Sequence, residues 1–282
     1  MRLQFLGTGA ATAVPLPFCK CKVCMTARVN GGRDLRRRSS ILIDSVLLID
    51  MGPDLMSAAF AFGVDTSSIR YWLQTHSHAD HFDPVHLATR IREYASQDVQ
   101  SLKLVASESC VAHMSEKLAV EEFADLRDSG WLERLNLSVS YAYSGETQSV
   151  GPYRVTPFIC DHDPRDGSMI YLVERDGRRL LYALDTGAFS QAAMAYFSSG
   201  VYLNAIIIDH TYGGDLGGGE HMNARLVCET LKALSDYGAI DGHTRVWGSH
   251  ISHEGNPTHD TFVKLARACG YDVAYDGLEA EV

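Results

Sequence analysis

No run of about eighteen apolar residues occurs in the chain, which excludes a membrane-spanning helix of ordinary length. The N-terminus passes from Met1 straight into Arg2-Leu3-Gln4-Phe5-Leu6 without the pattern of a secretory signal, so a cytoplasmic protein with no membrane partner is expected. Excess positive charge is missing as well. Acidic residues number 35 against 25 basic ones, a formal net charge of -10, whereas a general nucleic-acid surface needs the opposite balance. Seven cysteines in 282 residues fall short of the density of a secreted disulfide scaffold. There is no internal repeat, low-complexity tract or Pro/Ser-rich linker, so one continuous domain over residues 1–282 is the simplest organisation.

What is present suits a large core, since 46% of the residues are hydrophobic. Apolar runs at 3–6, 41–44, 46–50 and 71–74 read as strands, followed by helical spacing at 84–93 and 109–118. Further strands are expected at 135–143, 153–159, 170–174 and 179–183, the last two joined by Asp176-Gly177, a strong hairpin turn. Helices at 192–197, 223–234 and 258–268 then enclose strands at 205–209 and 245–247. The alternation predicts a layered α/β fold.

The segment Thr75-His76-Ser77-His78-Ala79-Asp80-His81 follows a predicted strand and places four ligand-type side chains within six residues. On extended backbone His76 and His78 point the same way and suit one ion, while Asp80 and His81 turn toward another. Downstream, three more strands end in ligand-type residues: His162 in Asp161-His162-Asp163, Asp185 in Leu184-Asp185-Thr186-Gly187, and His250 in Gly248-Ser249-His250. Each is an ordinary loop residue if taken alone; the order and the strand-end settings are what argue for a site.

The H-x-H-x-D-H pattern and the later motifs resemble the metallo-β-lactamase superfamily. That resemblance implies a four-layer αββα sandwich with a catalytic dinuclear centre: His76, His78 and His162 on one divalent metal, Asp80, His81 and His250 on the other, and Asp185 bridging. Zinc and manganese both suit such imidazole and carboxylate ligands. Two ions sharing one water favour hydrolysis, and a net positive centre welcomes an anionic phosphodiester.

A second cluster, Cys19-Lys20-Cys21-Lys22-Val23-Cys24, supplies three thiolates, one ligand short of a structural zinc site, and His253 is the candidate for the fourth. The C-x-C-x-x-C loop together with His250-Ile251-Ser252-His253 resembles the phosphoribosyl cyclic phosphodiesterases of the carbon–phosphorus lyase pathway. The resemblance implies a structural zinc on Cys19, Cys21, Cys24 and His253, a small cyclic ribose-phosphate substrate, and a homodimer. It also marks His221, in Glu220-His221-Met222-Asn223, as a catalytic residue beside Asp80 and Asp185, able to protonate a leaving oxygen.

The remaining features have plainer readings. Arg33, Arg36, Arg37 and Arg38 read as a solvated basic face, and Cys110, Cys160, Cys228 and Cys269 as buried small hydrophobes. His210 sits at a strand end and is as readily structural as part of the cleft; His86, His113, His243 and His259 lack any motif. A tRNA 3'-processing endonuclease shares the seven ligands but normally carries a basic clamping arm, which is not visible in this sequence. A lactonase is a further hydrolytic alternative. A non-hydrolytic binding protein like the pyrroloquinoline-quinone paralogue shares the cysteine loop but departs from the full H-x-H-x-D-H set.

Overall fold

The computed structural model describes residues 1–95, 99–122 and 124–282. Strands β1 (Arg2–Gly7), β2 (Ser40–Ile43), β3 (Leu47–Ile49), β4 (Tyr71–Leu73), β5 (Leu102–Ala106) and β6 (Leu137–Tyr141) form one sheet. Strands β7 (Gln148–Val150), β8 (Tyr153–Ile159), β9 (Met169–Arg175), β10 (Arg178–Ala183), β11 (Ala205–Asp209), β12 (Arg245–Ser249) and β13 (Asp272–Val273) form the second. The last strand, β14 (Glu279–Glu281), returns to the first sheet and pairs antiparallel with β1. The order is β14-β1-β2-β3-β4-β5-β6 in one sheet and β13-β12-β11-β10-β9-β8-β7 in the other.

Strand alternation builds the layers. Ile207, Ala205, Trp247, Tyr171, Val173 and Tyr182 point inward from the second sheet and meet Leu3, Phe5, Ile41, Ile43, Leu73 and Val105 from the first. The intervening residues Ile206, Ile208, Leu172 and Leu181 point outward onto α6 (Gln191–Phe197), α7 (Ala224–Asp236) and α8 (His259–Arg267). On the opposite outer face, Leu42, Leu48, Trp72 and Leu104 pack on α2 (Leu55–Phe62), α3 (Pro84–Ala88) and α4 (Glu108–Glu122). The result is the expected αββα sandwich. Among the described residues the remaining α-helices are α1 (Lys22–Asn30) and α5 (Ser129–Arg134). No helix among the described residues is long and apolar enough to cross a membrane.

The β9–β10 turn has Asp176 at φ 51° and Gly177 at φ 73°, the paired left-handed conformation that makes Asp-Gly a hairpin turn. The helix expected over 84–93 is shorter: Asp83 caps it at Val85, Pro84 starts it, and it ends at Ala88. The segment 83–151 supplies β5 and β6, which widen the first sheet beyond β4.

Two sequence readings are corrected. Cys228 and Cys269 are not a pair of buried hydrophobes: Cys228 on α7 is half-buried, Cys269 after α8 is exposed, and the two form a disulfide with Cα atoms 5.8 Å apart. The helix packing, not the sequence spacing, makes them neighbours. Nor do the four arginines form a solvated face together, although Arg33 is exposed as expected. Arg36 is buried, donating to Thr8 Oγ1 at 2.9 Å and to the Ala274 carbonyl at 2.7 Å. Arg37 and Arg38 are ion-paired with Asp276 and Asp54. Cys110 and Cys160 are buried, as expected.

Candidate metal centre and its cleft

The candidate ligands sit where parallel strands of the two sheets end on the same edge, the usual position for a site in an α/β fold. β4 leads into His76, His78, Asp80 and His81; β8, β10 and β12 lead into His162, Asp185 and His250. Tyr171 of β9 donates to the Gln74 carbonyl at 2.8 Å and so ties the second sheet to the start of the histidine loop. Gln74 continues the tie, donating through Nε2 to the carbonyls of His76 (2.6 Å) and His81 (3.0 Å).

These side chains fall into two facing groups. The donor atoms of His76, His78 and His162 lie within 4.8 Å of one another, and so do those of Asp80, His81, Asp185 and His250. In the first group His162 Nε2 is 3.1 Å from His78 Nδ1. In the second, Asp185 Oδ2 is 3.0 Å from His81 Nε2 and 3.2 Å from His250 Nε2, and Asp80 Oδ2 is 3.1 Å from His81 Nε2. The other oxygen of Asp185, Oδ1, reaches toward His162 Nε2 at 3.5 Å, so this one carboxylate touches both groups.

The nitrogens turned away from the groups are held by acceptors. His81 Nδ1 donates to Asp50 at 2.8 Å, His76 Nδ1 to Thr75 Oγ1 at 3.0 Å, His250 Nδ1 to Thr211 Oγ1 at 2.8 Å, and His78 Nε2 to Asp163 at 3.3 Å. Such contacts fix the tautomer and present the opposite nitrogen's lone pair to a common centre. Asp50 also accepts from the Thr75 amide and hydroxyl. The sequence reading left Asp50 as the end of a strand; its only sequence signal was a carboxylate closing an apolar run, as at Asp209.

The donor set fits divalent cations. His76 Nε2 is buried with no hydrogen-bond partner, an orphan that a metal would satisfy. Burial holds His76 and His162 below the ordinary histidine range, keeping both rings in the neutral form that ligates metal. Burial alone would raise Asp80 and Asp185, but neighbouring imidazoles (His81 for Asp80, His250 and His81 for Asp185) outweigh it and keep both well below the usual carboxylate range. Burial likewise opposes charge on His81, yet Asp185, Asp80 and Asp50 push it well above the usual histidine range. A buried pocket of ionised carboxylates that draws positive charge onto a histidine is one that cations would neutralise.

His221 closes one side of the cleft. Its ring stacks on His250 at 5.4 Å between centroids and its Nδ1 donates to Asp209 at 3.1 Å, leaving Nε2 available to a substrate. Burial works against its charged form, but the hydrogen bond and charge of Asp209, with Asp185 and Asp80 behind, lift it to about 9. Asp209 is fully buried and accepts from the amides of Asp185, Thr211 and Met222, so one carboxylate orients three segments of the site. Gly187 has no room for a Cβ beneath the Gly219 carbonyl, which brings the loop before His221 against Asp185. His210 turns away, sharing a hydrogen bond with Tyr271 Oη at 2.8 Å and packing on Phe262, and is structural.

The thiol cluster also assembles. Cys19, Cys21, Cys24 and His253 bring donor atoms within 4.8 Å, with Cys21 Sγ 3.4 Å from His253 Nδ1. Cys24 lies not on a loop but in the first turn of α1, where its amide donates to Cys21 Sγ. That amide, aided by His253, holds the Cys21 thiol at about 6, while burial pushes Cys24 up to about 11.

The family model described as a beta-lactamase superfamily domain matches residues 46–251. A diphosphatase of the PhnP family is similar in fold, with a TM-score of 0.72 and 20% identity over 100% of this chain and 97% of that one. Zinc-bound PqqB from Methylobacterium extorquens gives a TM-score of 0.72 and 19% identity, with both chains covered completely. An octanoyltransferase from Porphyromonas gingivalis is 40% identical over 85 residues, 29% of this chain and 16% of the relative, so the chain spans under a fifth of that curated protein.

Proposed function

The chain belongs to the beta-lactamase superfamily, and from that premise we propose that it is a metal-dependent hydrolase of small phosphodiesters, of the cyclic ribose-phosphate kind. The reading is carried by the two facing donor groups that share Asp185. His76, His78 and His162 would hold one divalent ion, zinc or manganese; Asp80, His81 and His250 would hold the other, with Asp185 between them. Cys19, Cys21, Cys24 and His253 would hold a structural zinc, the ion that thiolates select. Two ions in the paired groups would supply an activated water and Lewis acidity toward the reacting ester.

The chain's own residues do the rest. Asp80 and Asp185 stay ionised and balance the cationic charge. His221, protonated through Asp209, gives the Nε2 proton to the leaving alkoxide as the P–O bond breaks, and Asp209 keeps the ring in place. An anionic phosphodiester suits a net positive paired centre better than a neutral carbonyl does, and a PhnP-family diphosphatase has the same fold.

The test is an assay of metal-loaded protein on bis(4-nitrophenyl) phosphate, a ribosyl cyclic phosphate, precursor tRNA and a lactone. The two small phosphodiesters should be cleaved; cleavage of the lactone alone overturns the reading. His221→Ala should slow turnover by about 100-fold or more with metal content unchanged. Unchanged turnover removes His221 from the reaction. Elemental analysis of Cys21→Ser should show one zinc fewer per chain with the paired ions retained, and equal metal in the two proteins counts against the thiolate site.

A further inference from the structure

The cleft in front of the donors measures 130 Å³, and among the described residues that line it there is no lysine and no arginine. The guanidinium groups of the chain segments around it are engaged by protein partners, Arg38 beside the cleft itself, since Ala11 is a lining residue. Arg36 is buried against Thr8 and Ala274. Arg37 serves Asp276 and Ser57, Arg38 serves Asp54 and the Ala11 carbonyl, and Arg165 serves Asp163. Tyr212 and Glu254 are among the lining residues of the cleft. Tyr212 packs edge-on to His221 at 5.9 Å. The Gly213 amide, next to Tyr212, donates to the Glu254 carbonyl, which brings the two residues to the same stretch of the cleft.

This wall is built rigidly. Ser252 and Asn256 both donate to the Thr211 carbonyl, at 2.7 and 3.0 Å, and the Gly213 amide donates to the Glu254 carbonyl at 3.0 Å. Glu254 also follows His253 directly, so the cluster of Cys19, Cys21, Cys24 and His253 anchors the turn that carries it. The backbone that carries Glu254 is therefore fixed beside the cleft, with the side chain exposed.

Resting on the phosphodiesterase reading above, we propose that Glu254, with Tyr212, selects phosphodiesters whose single anionic group is the one hydrolysed, esterified to an uncharged polyol. A hydroxyl can donate to Glu254 while the carbon skeleton lies on the Tyr212 ring. A second phosphate in this small cleft meets a like charge, and no lysine or arginine among the described lining residues offsets it. Resemblance to cyclic phosphodiesterases of ribose phosphates implies a substrate with that second phosphate; the lining of this cleft argues for one without it.

Two measurements on the metal-loaded protein test this. Ribose 1,2-cyclic phosphate should exceed its 5-phosphorylated form in kcat/KM by about tenfold or more, chiefly through KM. Glu254→Gln should narrow the ratio and Glu254→Lys should narrow it further or reverse it. Calorimetric binding of ribose 1-phosphate against ribose 1,5-bisphosphate should show the same order without any turnover. A wild-type preference for the doubly phosphorylated compounds, or a ratio identical in all three proteins, overturns the proposal. Failure to cleave any phosphodiester overturns the functional reading instead, and the binding preference still decides the role of Glu254.

Discussion

Asp50, Asp185 and His250 each end a strand with positive φ, 65°, 51° and 60°. Few non-glycine residues adopt this conformation, and here it turns the side chain back over the strand end toward a common centre. Asp50 then serves His81 from behind: its carboxylate accepts the Nδ1 proton and sets the opposite nitrogen toward Asp80 and Asp185. Asp50→Asn removes the charge without changing the shape. We expect about 10- to 100-fold weaker metal binding at the Asp80, His81 and His250 group, read by titration with a competing chelator. An unchanged affinity would show that Asp50 only stabilises the fold. The seven candidate ligands were legible in the sequence because residue type and strand-end position are local properties. Asp50 and the hub role of Asp209 were not, since both act through hydrogen bonds to residues far away in the chain.

At the level of elements, the helix that follows His221 is fixed at both ends of its first turn. Asn223 caps α7 by accepting from the Leu226 amide, and the Met222 amide is held by Asp209. Farther along, Cys228 joins α7 to the turn after α8 across 41 residues. Cys228→Ser should lower unfolding free energy by about 2–4 kcal/mol without reductant and by little in its presence, as read by urea denaturation. Matching curves for wild type and variant without reductant would show that the cross-link does not form. Most helices and strands followed from periodicity, but α2 did not. Its sequence, Leu55-Met56-Ser57-Ala58-Ala59-Phe60-Ala61-Phe62, is apolar around most of its circumference and offers no polar face to set a phase. α1 was hidden for the opposite reason, burying only Cys24 and Ala27.

Over the whole molecule, the first sheet supplies four of the paired-group donors and the second supplies His162, Asp185 and His250. Ions bound there would link the sheets across the same interface that Ile207, Trp247, Leu73 and Phe5 pack. Stripping them should therefore lower the Tm of the entire chain, by a free energy of about 4 kcal/mol for each ion present at a thousand times its Kd. Calorimetry of stripped and reloaded protein measures this, and equal Tm values would mean that the donors hold no ion.

The sequence by itself determined the candidate ligand types, their order along the chain and the α/β alternation, because each is set by neighbouring residues and by the period of apolar side chains. Only the tertiary structure decided that Cys228 meets Cys269, that Arg36 is buried rather than solvated, and that Glu254 and Tyr212 line the same cleft as the donors, with no lysine or arginine among the described lining residues. Those outcomes depend on sheet order and helix packing, which bring together residues tens to hundreds of positions apart, and no local pattern encodes such a meeting.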